Sequence, residues 1–130
     1  MAAVGAGPAL SWRDTLQRHL DAIQRRDLPA LAETINDELV LIAADGTVQR
    51  SKQEFLDAHR AWFEMEHWTL HATPIELREG GGMAAAVLHL LYCEDAPGKP
   101  ALRQQSHLTL VFEKRDGRWL MVLDQNTPMK

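Results

Sequence analysis

The sequence predicts an α+β fold in which helices come first and a meander of long strands follows. Two observations carry that reading. Apolar residues recur at helical spacing as far as Phe63, then change to a period of two or to solid apolar runs. The later segments are parted by short stretches rich in turn formers: the glycines at 80–82, "APGKP", and Asp116 with Gly117. Neighbouring strands joined by such turns should pair as antiparallel hairpins, with the helices laid on one face of a curved sheet.

The first helix opens at Ser11, a suitable N-cap, with Asp14 in its first turn. Trp12, Leu16, Leu20 and Ile23 make its apolar stripe, and His19 stands beside them. Asp27 caps a shorter second helix, "LPALAETIN", in which Pro29 sits early, where its missing N–H costs little. The run "DELVLIAADGT" reads as a strand entering a tight turn at Asp45 and Gly46, and "TVQR" as a short return strand. Ser51 and Glu54 have capping-box spacing for a third helix, whose apolar face is Phe55, Leu56, His59, Trp62 and Phe63. Four long strands follow: "HWTLHATPIELRE", "MAAAVLHLLYCED", "ALRQQSHLTLVFEKR" and "GRWLMVLDQN".

At 130 residues, 45% of them hydrophobic, the chain suits one domain with a sizeable core. Residues 11–130 are assigned to it, and residues 1–10 to a flexible N-terminal arm. A net charge of −4, with basic residues in pairs beside acids, leaves no footprint for nucleic acid. One cysteine, Cys93, rules out an internal disulfide and a thiolate cluster. No apolar run approaches the ~18 residues of a membrane helix, and the N-terminus lacks a signal-peptide pattern, so the expectation is a soluble cytoplasmic domain. No cofactor motif is present: the glycines at 80–82 precede a strand and offer no helix N-terminus to a phosphate. His67 and His71 suggest a metal pair, but on a strand they stand about 13 Å apart, so no metal site is expected.

The order helix–helix–short hairpin–helix–four long strands resembles the cone-shaped, cystatin-like fold of the nuclear-transport-factor-2-like superfamily. Three helices there pack on a curved, mostly antiparallel mixed sheet. The stretches "AIQRRDLPALAETINDELVLIAADG" and "VFEKRDGRWLMVLDQNTP" are similar to the SnoaL-like polyketide-cyclase and ketosteroid-isomerase branches. The resemblance covers residues 11–128 and speaks to fold more than to reaction. Matched to the isomerases, their oxyanion-hole tyrosine falls at His19. Their general-base aspartate falls near Ala43 or Ala44, where no carboxylate stands; Asp45 comes late, in the turn, and the single tyrosine, Tyr92, is on another element. Steroid-type isomerisation is therefore disfavoured. Matched to the cyclases, the acid/base aspartate of the last strand falls at Asp124.

Residue by residue, two readings stay open. Strict alternation puts Asp124 and Asn126 on one face with Leu120 and Val122, at the inner end of an apolar cup. A carboxylate there loses hydration and can exchange protons near neutral pH; alternatively the strand simply exits into water. His19 and His59 either converge on the cup as proton-handling or polar groups, or are core-edge histidines held by backbone carbonyls. Trp62 and Trp68 are expected to line the cup's mouth. His107, a weaker ligand-binding candidate, alternates against the apolar set and should face outward or toward a dimer contact.

The strand "MAAAVLHLLYCED" is apolar on both faces, so a second subunit is expected to cover the outer face as a homodimer. The functional expectation is a small-molecule-binding protein, either a binder or a cofactor-independent isomerase, cyclase or dehydratase acting through Asp124, for a small apolar or aromatic molecule. The alternative is a non-catalytic dimeric assembly module of the same fold.

Overall fold

Ser11 starts α1 (Trp12–Arg25) by accepting the Asp14 backbone N–H on its Oγ at 3.2 Å. Arg26 ends the helix in the left-handed region, φ 55°, returning its N–H to the Ala22 and Ile23 carbonyls. In the computed structural model, which describes residues 11–130, the buried stripe of α1 is Trp12, Thr15, Leu16, His19, Ala22 and Ile23. The arm expected over residues 1–10 lies outside the described residues.

Asp27 caps α2 (Leu28–Ala32). The expected helix through "ETIN" stops four residues early, because Thr34 turns its N–H and its hydroxyl back onto the Leu31 carbonyl and the chain enters β1 (Ile35–Ile42). After β2 (Val48–Gln49), α3 (Lys52–Phe63) opens on half of a capping box, with the Glu54 carboxylate bonded one residue before the N-cap. Ser51 Oγ accepts from Glu54 N at 3.1 Å, and Glu54 Oε1 accepts from Arg50 N at 3.1 Å.

The long strands are β3 (Trp68–Gly80), β4 (Met83–Glu94), β5 (Leu102–Arg115) and β6 (Arg118–Pro128). They form one six-stranded sheet in the order β2-β1-β6-β5-β4-β3. Only β1 and β6 run parallel, which makes the sheet mixed. The β5–β6 hairpin turns on Asp116 (φ 52°) and Gly117 (φ 76°), the pair of positive angles that a two-residue turn of matching twist requires.

A bulge in β6 decides which way its polar end faces. Val111 pairs with Leu123 and Phe112 with Met121, so Val122 has no partner of its own on β5. The extra residue shifts the alternation by one. Trp119 and Met121 are buried, and so is Asp124. The strict alternation that grouped Asp124 with Leu120 and Val122 is thus corrected, although its conclusion, an inward Asp124, stands.

The core lies between the helices and the inner face of the sheet, with Trp12, Leu31, Leu39, Phe55, Leu88, Leu110, Phe112 and Met121 all under 2% exposed. Several cross-element hydrogen bonds tie the helical layer to the sheet. Trp12 Nε1 donates to Glu79, Thr15 Oγ1 to the Trp119 carbonyl at 2.9 Å, and Met121 N to the Thr34 carbonyl at 2.9 Å. On the outer face Ala85, Val87, His89, Leu91 and Cys93 are half-buried in the single chain. Among the described residues no helix is long and apolar enough to cross a membrane.

Candidate functional site

Where β6 passes between β1 and β5, Asp124 pairs with Leu41 on one side and Leu110 on the other. Its backbone is held on both edges, and after the bulge its side chain falls on the inner face. There it meets a cavity of about 400 Å³ bordered by α1, α3, the loop after β1 and the inner face of the sheet. The apolar wall includes Ile23, Leu41, Leu70, Leu90 and Leu108, and the polar groups are His19, His59, Tyr92, Gln104, Ser106, Asp124 and Asn126.

Asp124 is 7% exposed, and among the described residues no hydrogen bond or ion pair reaches its carboxyl. Burial alone raises its pKa from the ordinary carboxylate range to about 7. One turn of pleat further, Asn126 also borders the cavity, with its Oδ1 buried and without a hydrogen-bond partner.

His19, 1% exposed, sits on the inner stripe of α1 with Nδ1 2.8 Å from Thr34 Oγ1. The Thr34 hydroxyl gives its one proton to the Leu31 carbonyl at 2.7 Å. The contact with His19 is therefore Nδ1–H donating to the hydroxyl oxygen, and Nε2 carries the free lone pair. Burial first, and the neighbouring His59 second, lower the His19 pKa to about 3, so this ring stays neutral. His59 lies one turn beyond Phe55, stacked on it at 3.9 Å between ring centroids, with Nδ1 2.8 Å from the Phe55 carbonyl. A carbonyl only accepts, so this ring too keeps its lone pair on Nε2. Burial lowers the His59 pKa, and the bond to Phe55 opposes it in part.

Trp62 borders the cavity and stacks on Trp68 at 4.3 Å. Trp68 is 3% exposed and stands behind it, donating Nε1–H to the Trp62 carbonyl at 3.2 Å and carrying the Arg26 guanidinium 3.8 Å above its ring. Trp68 therefore supports the wall and is not part of it, a correction to the expectation of two lining tryptophans. His107 faces outward, as its alternation predicts, which takes it away from the ligand contacts. It is exposed on the outer face, 6.4 Å ring to ring from His89, with the sheet between it and the cavity. The other candidates, Asp124, His19, His59, Trp62 and Asn126, come together on one hollow.

Sequence reasoning missed Tyr92, Gln104 and Ser106. Period-two counting along β4 puts Tyr92 on the face of Leu88 and Leu90, and it pairs with Gln104 across the ladder. The Tyr92 hydroxyl donates to Glu94 at 2.5 Å; burial, with that bond, raises its pKa to about 12. Ala43 and Ala44 border the same cavity, while Asp45 is exposed in the turn, with Oδ1 accepting from Thr47 N at 2.9 Å.

A wider cleft of about 680 Å³ lies between the start of β1 and the β5–β6 turn. Its charged groups largely satisfy one another, Lys52 with Asp37 at 3.7 Å and Arg115 with Glu38 at 3.1 Å. Its apolar lining is limited to Ala32, Ile35 and Leu120, and no aromatic side chain borders it, so the smaller hollow is the stronger site. Among the described residues no three His, Cys, Asp or Glu side chains gather as metal ligands would.

The family model for the SnoaL-like domain matches residues 13–126. No curated protein matches the chain. Among solved structures, an uncharacterised protein with a cystatin-like fold from Caulobacter vibrioides superposes with a TM-score of 0.79 at 22% identity, over 91% of this chain and 87% of that one. A conserved protein from Planctomyces limnophilus gives 0.77 at 22% identity, covering 90% and 94%. A ketosteroid isomerase-like protein from Erwinia carotovora atroseptica gives 0.74 at 17%, covering 91% and 93%. At these identities the likeness is one of fold. With the family model spanning nearly the whole domain, the chain belongs to the SnoaL-like domain family.

Proposed function

We propose that this protein is a small-molecule acid/base catalyst of the isomerase, cyclase or dehydratase type, with Asp124 moving the proton. The observation that carries the reading is a carboxyl buried in a cavity wall without a partner. Nothing in the fold's stability explains such a group, since desolvating a carboxylate without compensation is costly. An acid poised near the ambient pH serves as donor and acceptor in turn. Asp124, raised to about 7, is the group in the hollow with that property. His19 and His59 are held neutral and offer hydrogen-bond acceptance, so they orient the ligand and do not ferry the proton. Ala43 and Ala44 stand where the isomerase resemblance would require a base, which argues against isomerisation of the steroid kind. Each step as proposed uses this chain's own side chains.

The test is a 13C titration of the Asp124 carboxyl, joined to a thermal-shift screen of aromatic and polyketide-like compounds. A midpoint near 7 that moves on ligand binding supports the reading. A midpoint near 4 removes Asp124 from proton transfer.

A second reading, assembly, has its own support on the outer face. Met83 is 40% exposed beside the half-buried Ala85, Val87 and Leu91, an apolar strip suited to a second copy of the chain. The two readings are compatible. A dimer whose hollow binds nothing would leave assembly alone.

A further inference from the structure

We infer that the cavity takes a ring compound without negative charge that bears an O–H or N–H donor, seated with that donor toward the helical wall formed by His19 and His59. This rests on reading the hollow as a small-molecule site and adds what chemistry the molecule must carry.

The helical wall is one-sided in its hydrogen bonding. His19 has given its Nδ1–H to Thr34 and His59 its Nδ1–H to the Phe55 carbonyl. Neither commitment is easily reversed. The Thr34 proton is directed to Leu31 at 2.7 Å, and the Phe55 carbonyl has no proton to give. All that either ring can offer a ligand is the lone pair on Nε2. Two acceptors bordering one hollow, His19 on α1 and His59 on α3, are matched by a ligand that brings a donor to that side. A ligand that brings only an ether or carbonyl oxygen to this wall sets lone pair against lone pair.

The opposite wall is permissive. Ser106 and Asn126 can each donate or accept, so an acceptor elsewhere on the ligand is met there. Negative charge is the excluded property. No Lys or Arg is among the described residues lining the hollow, and a ligand carboxylate would lie near Asp124 with no cation to pair it. The remaining surface, Leu70, Leu90 and Leu108 with Trp62 at the edge, suits a flat apolar ring.

Three probes separate the terms by calorimetry at pH 7: 2-naphthol, 2-methoxynaphthalene and 2-naphthoate. Naphthol should bind about tenfold more tightly than its methyl ether, the effect of one buried hydrogen bond, and naphthoate should not bind measurably. Adding naphthol, but not the ether, should shift the 15N resonance of His59 Nε2. In His59→Phe, which keeps a stacking ring on Phe55, the gap between naphthol and ether should shrink. Binding of the ether or of naphthoate as tight as that of naphthol overturns the inference, as does a protein that binds none of the three. Failure of the catalytic reading looks different: naphthol is still preferred, but the Asp124 carboxyl titrates near 4.

Discussion

The imidazole of His19 and the hydroxyl of Thr34 meet at 2.8 Å across the α1–α2 packing, with both groups buried. The hydroxyl is a relay with a fixed sense, because its own proton goes to Leu31. The direction of one hydrogen bond in a helical turn thus sets which nitrogen of His19 faces a ligand.

Thr34→Val keeps the shape and removes the acceptor. The His19 N–H is then buried without a partner, which should cost about 1–3 kcal/mol of folding stability. Urea unfolding measures the loss, and the 15N spectrum should show the ring redistributing between tautomers. An unchanged tautomer would mean that packing, not Thr34, orients the ring.

Asp124 and His19 should push stability in opposite directions with pH. The carboxyl's folded pKa of about 7 lies above its ordinary 3.8, so the folded state holds its proton longer. From pH 4 to 7 the unfolded chain ionises first and stability falls. The His19 pKa is lowered from 6.5 to about 3, so the unfolded chain takes up that proton first as pH drops. From pH 3 to 6.5 this group makes stability rise with pH.

Asp124→Asn removes one of the two opposing slopes. The variant should fold, lose turnover on any substrate found, and gain roughly 2–4 kcal/mol relative to the parent at pH 8. It should also show a steeper rise in stability between pH 4 and 6.5. Denaturant midpoints across that range check the pattern, and a loss of stability at pH 8 would mark the carboxyl as a structural group.

Trp62→Ala should open the hollow's edge at modest cost to the fold. Trp68 remains anchored through Arg26, whose guanidinium also donates to the Trp68 carbonyl at 3.0 Å. Affinity for any ring ligand should fall about tenfold, an aromatic contact and its buried area being worth roughly 1–2 kcal/mol. Calorimetry decides; unchanged affinity would remove Trp62 from the ligand wall.

Val87→Glu tests the outer face, since Val87 lies mid-strand among Ala85, His89 and Leu91 and points away from the cavity. A dimer formed there should become monomeric by light scattering, with the naphthol site intact. A parent protein that is already monomeric at high concentration refutes the assembly reading.

Much of the fold was legible because its instructions are local. Ser11 and Ser51 start their helices within four residues, and Asp116 with Gly117 turns its hairpin within two. His19 and His59 could be placed on inner faces by counting along their helices. What resisted was non-local. The apolar run Trp119–Leu120–Met121–Val122–Leu123 has no alternation to betray a slip, so the unpaired Val122 left no trace. Thr34 became a histidine's partner only once α2 ended early. Trp68 looks like a lining residue by position, yet the stacking of Trp62 in front of it takes that role.

The unpaired valine also bears on how relatives should be compared. In a homologue whose last strand lacks that insertion, an acid reaching the same hollow would occur one residue nearer the preceding hairpin. An alignment that scores Asp124 column by column would record such a protein as lacking its carboxylate. Admitting a one-residue gap at Val122 restores the match, so the acid should be sought in three dimensions before any homologue is declared inert.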